Sequence, residues 1–280
     1  MIDYHVHTML CNHATGSMPE YIHQAIAIGL KEICFLDHLT INPLGKFLSM
    51  TPDEVPVYYN AIQMLKQKYK GIIKIKSGLE IDFNPDYVNL VEDILGTYSF
   101  DLIGSSLHFI DDINIVSSSS PWKKGKENTD SVFSLYFERL SEMMEYNYFD
   151  VVCHFDMIKK FGRKSYKKYD KEIERILSVM KKKGIVMEIN TSGLNHPVME
   201  IYPNKEILKE CSIKGIPVTI GSDAHRPEQV GRHFDKAFDL IVSAGYSHVT
   251  VFSERSAGTI AIDCTHRYSG QSTISAEGAG

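Results

Sequence analysis

Short apolar runs alternate with longer helix-like stretches along most of the chain, and this alternation constrains the fold more than any other feature. Eight runs are typical of β-strands, and they span residues 2–7, 32–37, 72–80, 100–108, 149–154, 185–190, 216–223 and 248–252. Seven stretches are typical of helices, and they span residues 19–29, 52–70, 85–97, 131–146, 169–183, 204–214 and 227–244. Repeated strand–helix units imply parallel strands joined by right-handed crossovers. Such units over about 250 residues predict a single-domain α/β barrel, either eight-stranded or a distorted, seven-stranded form.

The composition narrows the class of protein. The 280 residues carry a net charge of −5, and this weak acidity argues against a nucleic-acid-binding surface, which needs clustered lysine and arginine. Five scattered cysteines without a C-x-x-C pair, and no apolar run of membrane-spanning length, lead us to expect a cytoplasmic protein with no membrane partner. Residues 264–280 are small, polar and patternless, so we expect the domain to span residues 1–263 and the rest to be a disordered tail or an expression remnant.

Potential metal ligands stand at the ends of six of the predicted strands. The set comprises seven histidines and two carboxylates: His5, His7, His13, His38, Glu80, His108, His154, Asp223 and His225. His13 is the exception in position, since it lies on the loop after the first strand. The carboxyl ends of barrel strands converge on one mouth, where active sites are built. The sequence therefore predicts a site at this mouth for two or three divalent ions, with Zn, Mn and Fe all suited to these ligands.

The pattern formed by all these residues is stronger evidence for a metal site than any single histidine. A single histidine at a strand end is usually structural, and a lone His-x-His pair is a weak signal in a chain with twelve histidines. Histidine or acidic residues at six strand ends are much harder to obtain by chance. We therefore assign His23, His233, His248 and His266 to structural or solvated positions, whereas His196 follows the sixth strand and can face the mouth.

These residues resemble the motifs of the polymerase and histidinol phosphatase (PHP) superfamily, and most closely its histidinol-phosphate phosphatase branch. The matching segments are His5-Val6-His7, Asp37-His38, Glu80, His108, His154 and Ser222-Asp223-Ala224-His225. The resemblance runs from His5 to about Phe252. It implies a distorted (β/α)7 barrel, similar to a TIM barrel, and a metal-dependent phosphomonoesterase that hydrolyses L-histidinol phosphate in histidine biosynthesis.

The resemblance also implies how the ligands are shared among three ions. One ion would be held by His5, His7, Glu80 and Asp223. A second would be held by Glu80, His108 and His154, with Glu80 bridging, and a third by His13, His38 and His225. Among these residues, Asp223, His225 and Glu80 are the predicted catalytic groups. Asp37 and Asp156 are expected to contact the ligands rather than the metal ions, as hydrogen-bond acceptors for the N–H groups of the ligating histidines.

The substrate-binding side departs from the family pattern. Cys153 stands where the family often has glycine, and the arginines that would hold a phosphate are not clearly matched. The residues predicted to bind the substrate or its phosphate are Lys160, Arg163, Asn195, His196 and Arg226. A lysine neutralises a phosphate as a point charge but lacks the two-pronged donor geometry of arginine. The long polar segment 111–130, with Asp111, Asp112 and Trp122, is a further candidate for contacts to the organic part of the substrate.

Three other functions remain open on the sequence. Another PHP phosphoesterase, either a protein-tyrosine phosphatase or a nuclease, would keep the same ligands. A nuclease needs a basic groove with stacking aromatic residues, which the net charge and the single tryptophan disfavour. A non-catalytic metal-binding module is disfavoured because no ligand position is missing, and amidohydrolase chemistry because Glu80 stands where a carboxylated lysine would be expected. The expected partner is therefore a small phosphorylated substrate rather than a nucleic acid or a membrane.

Overall fold

The computed structural model describes residues 1–163 and 166–262. In chain order the strands are β1 (Ile2–Val6), β2 (Glu32–Leu39), β3 (Lys74–Asp82), β4 (Leu102–Ser106), β5 (Phe109–Ile110), β6 (Ile113–Asn114), β7 (Val151–Val152), β8 (Val186–Asn190), β9 (Val218–Gly221), β10 (His248–Ser253) and β11 (Ser256–Ala261). The helices are α1 (Met18–Ala27), α2 (Val55–Lys68), α3 (Val88–Thr97), α4 (Thr129–Met143), α5 (Asp170–Lys183), α6 (Lys205–Lys214) and α7 (Phe234–Ser243). Within the described ranges, every helix is too short or too polar to cross a membrane.

Seven parallel strands form the central sheet, in the order β1-β2-β3-β4-β7-β8-β9. The two ends of the sheet meet through a parallel bridge between Val6 and Ala224. There the backbone N–H of His7 donates to the carbonyl of Ala224 at 2.9 Å, and the N–H of Ala224 donates to the carbonyl of His5 at 3.3 Å. The helices cover the outside of this nearly closed barrel. The predicted single-domain, distorted (β/α)7 barrel is therefore confirmed.

Local sequence signals fix where several helices begin and end. Ser17 and Glu20 form a reciprocal capping box at the start of α1, which satisfies backbone N–H groups that have no partner inside the helix. Glycine marks the C-terminal end of two other helices. Helix α5 ends at Gly184 and helix α6 ends at Gly215, and both glycines have a left-handed backbone conformation. Glycine adopts that conformation without a steric penalty, so it ends the helix and turns the chain back toward the barrel.

The eighth predicted strand is a strand but not part of the barrel. β10 pairs antiparallel with β11, in a hairpin separate from the seven-stranded sheet. The hairpin turn lies against the residues that precede two barrel strands, since the Arg255 guanidinium binds the Asp150 carboxylate at 2.9–3.1 Å and the Arg255 N–H donates to the Asp101 carbonyl at 2.9 Å. It therefore lies at the amino ends of the strands, opposite the mouth where the predicted ligands lie.

The polar segment 111–130 contains a short strand and contributes a residue to the core. Its beginning belongs to the short β5–β6 hairpin, and its tryptophan is part of the core. Trp122 is fully buried, its ring lies 6.1 Å from that of Phe133, and its indole N–H donates to the carbonyl of Ile158 at 3.3 Å. Asp111 pairs with Arg139 at 3.0 Å. Contacts to substrate from these two side chains are therefore not supported. The predicted tail, 264–280, lies outside the described residues.

Candidate metal centre

All nine predicted ligands lie together at the carboxyl ends of the barrel strands. Eight of them lie in or shortly after six of the seven barrel strands, all except β8, and His13 lies on the loop after β1. The side chains are those of His5, His7, His13, His38, Glu80, His108, His154, Asp223 and His225. Seven of the nine residues are buried, whereas His225 is partly exposed and His13 is exposed. The structure therefore brings the nine side chains together at one mouth of the barrel, as the strand ends predict.

The carboxylate of Glu80 lies at the centre of this group. Its Oε1 is 2.6 Å from Nε2 of His154 and 3.5 Å from Nε2 of His108. Its Oε2 is 2.7 Å from Nδ1 of His38 and 3.4 Å from Nε2 of His5. Burial alone would raise the pKa of Glu80, but the neighbouring histidines lower it well below its ordinary value. The charged carboxylate, with imidazoles at both oxygens, is placed to bridge two cations.

A second group of ligands surrounds Asp223, nearer to solvent. Nε2 of His7 lies 3.1 Å from Oδ1 of Asp223, and the ring of His225 stacks on that of His7 at 4.0 Å. Nε2 of His225 in turn faces Nε2 of His13 at 2.9 Å. Burial, reinforced by His7, lowers the pKa of His225 well below its ordinary value. Burial and His7 likewise lower the pKa of His38 to about 3, so both rings are neutral and available as ligands.

The arrangement of these atoms fits divalent cations. The triplets whose ligand atoms lie within 4.8 Å of one another include His5–Glu80–His154, His5–His7–Asp223 and His7–His38–His225. Within the described chain, Nε2 of His5 is fully buried and forms no hydrogen bond, and Nδ1 of His38, although near Oε2 of Glu80, does not meet that oxygen in hydrogen-bond geometry. Buried polar atoms are rarely left in this state, and a bound ion is one of the few explanations. Imidazole nitrogens and carboxylate oxygens are donors that suit Zn, Mn and Fe.

Three further carboxylates contact the predicted ligands on the side away from the centre of the group. Oε1 of Glu188 lies 2.5 Å from Nδ1 of His5, and Oδ1 of Asp37 lies 3.2 Å from Nδ1 of His7. Oδ1 of Asp82 accepts a hydrogen bond from the backbone N–H of His108 at 2.7 Å. A carboxylate that faces a ring nitrogen, as Glu188 and Asp37 do, fixes the tautomer and the orientation of an imidazole, whereas Asp82 holds the backbone of His108.

Sequence reasoning anticipated only one of these carboxylates. Asp37 acts as expected, but Asp156 instead pairs with Lys159 at 2.9 Å and accepts from the N–H of Asn204 at 3.0 Å. Glu188 was missed, although a signal existed. A glutamate inside the apolar strand β8 is buried, and a buried charge needs a partner.

A cavity of about 480 Å³ opens beside the ligands. Five of the nine predicted ligands line it: His13, His38, His108, Asp223 and His225. One part of the wall is apolar, formed by Leu48, Phe109, Val116 and Met157, and three cationic side chains face the same space, Lys160, Arg226 and Arg232. The cavity therefore combines positive charge and ligand atoms with an apolar surface.

Three of the five predicted substrate-binding residues line this cavity: Lys160, His196 and Arg226. The other two do not. Arg163 stacks over the Trp122 ring at 4.2 Å and donates to the carbonyl of Trp122, and Oδ1 of Asn195 lies 3.2 Å from Nε2 of His233. Those contacts hold both side chains away from the ligands. Burial, with a contribution from Lys160, lowers the pKa of His196 to about 4, so it faces the cavity as a neutral ring.

Comparisons with known proteins agree with this arrangement. The PHP domain family matches residues 3–192, and the PHP-associated family matches residues 202–235. A protein of Deinococcus radiodurans named "Probable histidinol-phosphatase" is 30% identical over 257 residues, which cover 89% of this chain and 96% of that protein. The histidinol-phosphatase of Lactococcus lactis is 27% identical over 270 residues, covering 90% and 94% of the two chains.

The fold also matches a solved structure. It is the histidinol phosphate phosphatase of Lactococcus lactis complexed with zinc, L-histidinol and phosphate, with a TM-score of 0.82 at 23% identity, covering 92% of this chain and 98% of that one. At this level of identity the likeness concerns the fold. The matched families and the full-length relatives place the chain more narrowly: it belongs to the PHP family.

Proposed function

We propose that this chain is a metal-dependent phosphomonoesterase that hydrolyses L-histidinol phosphate to L-histidinol and phosphate. The observation that carries the proposal is the position of the nine-residue ligand group, which borders a cavity lined by Lys160, Arg226 and Arg232. A phosphate dianion needs both features, namely cations on its oxygens and a fixed positive environment. The choice of substrate is supported by relatives that bear the name histidinol-phosphatase and align over nearly their whole length.

The ligand groups would hold two or three divalent ions of Zn, Mn or Fe. The proposed sets are His5, His7, Glu80 and Asp223 for the first ion, Glu80, His108 and His154 for the second, and His13, His38 and His225 for the third. The close approach of ligand atoms within these sets supports the assignment. Bound ions of this kind draw charge from phosphoryl oxygens and lower the pKa of water from about 15.7 to about 7.

The protein itself positions the reacting groups. Asp223 lines the cavity, and its Oδ2 accepts a hydrogen bond from the Ser192 hydroxyl at 3.0 Å, so the carboxylate is held in place to orient the attacking water. Lys160 is half-buried, and no ion-pair partner for it is found in the described part of the chain. Burial lowers the pKa of Lys160, a cost that an anionic substrate in the cavity would offset.

The apolar wall suits the organic part of the substrate. Phe109 and Met157 are buried, whereas Leu48 stands at the more open edge. An imidazole ring packed against these side chains would displace water from the cavity. Excluding water strengthens the electrostatic interactions at the reacting phosphate.

Phosphate release from L-histidinol phosphate tests the proposal. The purified protein is assayed with added Mn or Zn, beside a generic phosphomonoester and a phosphodiester, with metal content measured on the same sample. We expect preferred release from histidinol phosphate, at least about 100-fold lower in Asp223→Asn and His5→Ala. Arg175→Met, an exposed change on α5, is the matched control and should leave the rate unchanged. Bound metal with equal or better hydrolysis of the other esters would exclude the proposed substrate.

A further inference from the structure

Arg232 lines the cavity, although its place in the sequence gives no sign of this. It follows Gly231, in the segment between a short 3-10 turn (Pro227–Gln229) and helix α7. Its guanidinium faces the same space as the predicted ligands Asp223 and His225 and the cation Lys160. None of the contacts assigned so far explains why an arginine occupies this position.

A buried carboxylate on the first strand fixes the backbone on both sides of the site. Asp3 is fully buried and accepts a hydrogen bond from the N–H of Ser222 at 2.9 Å and another from the N–H of Gly231 at 2.9 Å. Gly231 has a φ of +68°, a conformation that side-chain-bearing residues rarely adopt. The residue before Asp223 and the residue before Arg232 are therefore tied to the same anchor.

Arg232 uses only one edge of its guanidinium within the protein. Nε donates to the carbonyl of Ser222 at 3.0 Å, and Nη2 donates to the carbonyl of Asp223 at 3.0 Å. These bonds support the left-handed backbone of Asp223, whose φ is +54°. A guanidinium carries five N–H donors, and across residues 1–163 and 166–262 no hydrogen bond is found for Nη1.

The charge of Arg232 is also only partly compensated. Its side chain is partly buried, and the described residues place no carboxylate within ion-pair distance, 4.0 Å, of its guanidinium nitrogens. A half-buried cation with free donors beside a cavity is the arrangement that proteins use to bind phosphate. Arginine suits this use because two parallel N–H groups match two phosphoryl oxygens.

We propose that Arg232 is a phosphate-binding residue: its free Nη1–Nη2 edge donates to two oxygens of the substrate phosphate, while its Nε–Nη2 edge holds the Ser222–Asp223 turn. The inference rests on the proposed phosphatase function and names a residue for the same site. In this arrangement Arg232 binds two oxygens of the phosphate at once, which the single ammonium group of Lys160 does not do.

The test measures binding of inorganic phosphate to the metal-loaded protein by calorimetry, together with KM and kcat for L-histidinol phosphate. For Arg232→Met we expect the Kd for phosphate and the KM to rise about 10- to 150-fold, the range for loss of hydrogen bonds to a charged group. Arg232→Lys keeps the charge but not the two-pronged geometry, so its Kd should lie between those of Arg232→Met and wild type. Arg175→Met should leave both constants unchanged.

Metal content and melting temperature separate binding from a positioning role. We expect both to stay near wild type in Arg232→Lys, while phosphate affinity falls. Loss of bound metal in step with phosphate affinity in every variant would mean that Arg232 only positions Asp223, and the inference would be overturned. So would a phosphate Kd within twofold of wild type in Arg232→Met. If Arg232→Met does not fold, Arg232→Lys and Arg232→Gln carry the same comparison.

The two proposals can fail separately. If the wild-type protein binds phosphate and loses that affinity on substitution of Arg232, but releases no phosphate from histidinol phosphate, the substrate assignment fails and the role of Arg232 stands. If it hydrolyses histidinol phosphate equally well with and without Arg232, the role of Arg232 fails and the proposed function stands.

Discussion

Replacing Glu188 with glutamine is expected to weaken metal binding although Glu188 is not itself a predicted ligand. Its Oε1 lies 2.5 Å from Nδ1 of His5, and its Oε2 accepts hydrogen bonds from the N–H of His154 at 2.7 Å and from Nδ2 of Asn190 at 3.1 Å. Glu188 thus holds one ligand by its ring and another by its backbone. Its contact with Nδ1 directs the opposite nitrogen of His5, Nε2, toward Glu80 and the metal site.

The size of the effect follows from the number of donors that Glu188 satisfies. Three donors point at its two oxygens, and glutamine offers one oxygen and one NH2 group. Either the His5 ring loses its acceptor, or the new NH2 group faces the N–H of His154. A buried donor without a partner costs about 1–3 kcal/mol of folding free energy. Loss of the carboxylate behind a ligating histidine lowers metal affinity by about 10- to 100-fold, and we expect both effects in Glu188→Gln.

The assay combines two measurements on the apoprotein. Titration with zinc against a competing chelator gives the metal affinity, and thermal unfolding without metal gives the stability. Asp101→Asn is the matched control, because Asp101 is also buried and also accepts several hydrogen bonds, including those from Ser77 N–H at 2.9 Å and Lys66 at 2.6 Å. It lies at the amino end of the barrel, so its loss should lower stability without changing metal affinity.

One outcome would refute this reasoning. If Glu188→Gln unfolds at a lower temperature but binds zinc within threefold of the wild-type affinity, Glu188 only fills and stabilises the barrel interior. A parallel loss of zinc affinity in Asp101→Asn would equally show that affinity follows general stability rather than the contact to His5.

Three further predictions concern the same barrel. In Gly221→Ala the new Cβ would overlap with Oε1 of Glu188 and with Cβ of His5, so we expect a lower melting temperature and less bound metal, measured on one sample. Removing metal with a chelator should lower the melting temperature, and added zinc should restore it in proportion to the logarithm of its concentration, since ions bind the native state preferentially. Burial raises the pKa of Asp101, but the hydrogen bonds from Lys66 and from the backbone N–H of Ser77, together with the charges of Lys66 and Lys76, outweigh it, and the pKa lies below its usual 3.8. Its contribution to stability is therefore complete above that value and lost as pH falls through the lower folded pKa. Urea unfolding should accordingly show a smaller difference between wild type and Asp101→Asn at about pH 3 than at about pH 6.

The barrel was predictable because its main signals are local. Strands buried on both faces are nearly continuous apolar runs, as in β2 and β9, where every residue is buried. Parallel strands of one barrel end at the same mouth. The location of a residue at the end of a strand can therefore be predicted without knowing the conformation of the loops. For this reason the ligands at the strand ends, such as His38, Glu80 and His154, could be placed together from the sequence.

Features that depend on distant contacts were not predictable in the same way. The run 248–252 has the pattern of a barrel strand, but β10 pairs with β11, a mostly exposed strand, and no local signal in the run predicts this. Arg163 and Asn195 follow strands at distances that suit a cavity, yet their directions are set by Trp122 and His233. Sequence spacing gives the position of such a residue on the chain but not the direction of its side chain.

Arg232 shows why the phosphate-binding side is the harder one to predict. Its position depends on Asp3, which is separated by 219 residues from Ser222 and by 228 from Gly231, the two residues it binds. Metal ligands depend on strand ends, whereas the substrate contacts depend on loops held by such long-range hydrogen bonds. Loops also vary more freely than the strands they connect. On our proposal the strand ends therefore supply the metal ligands, whereas the phosphate is held by cations on the loops, Lys160 and Arg232, whose side-chain directions only the folded chain reveals.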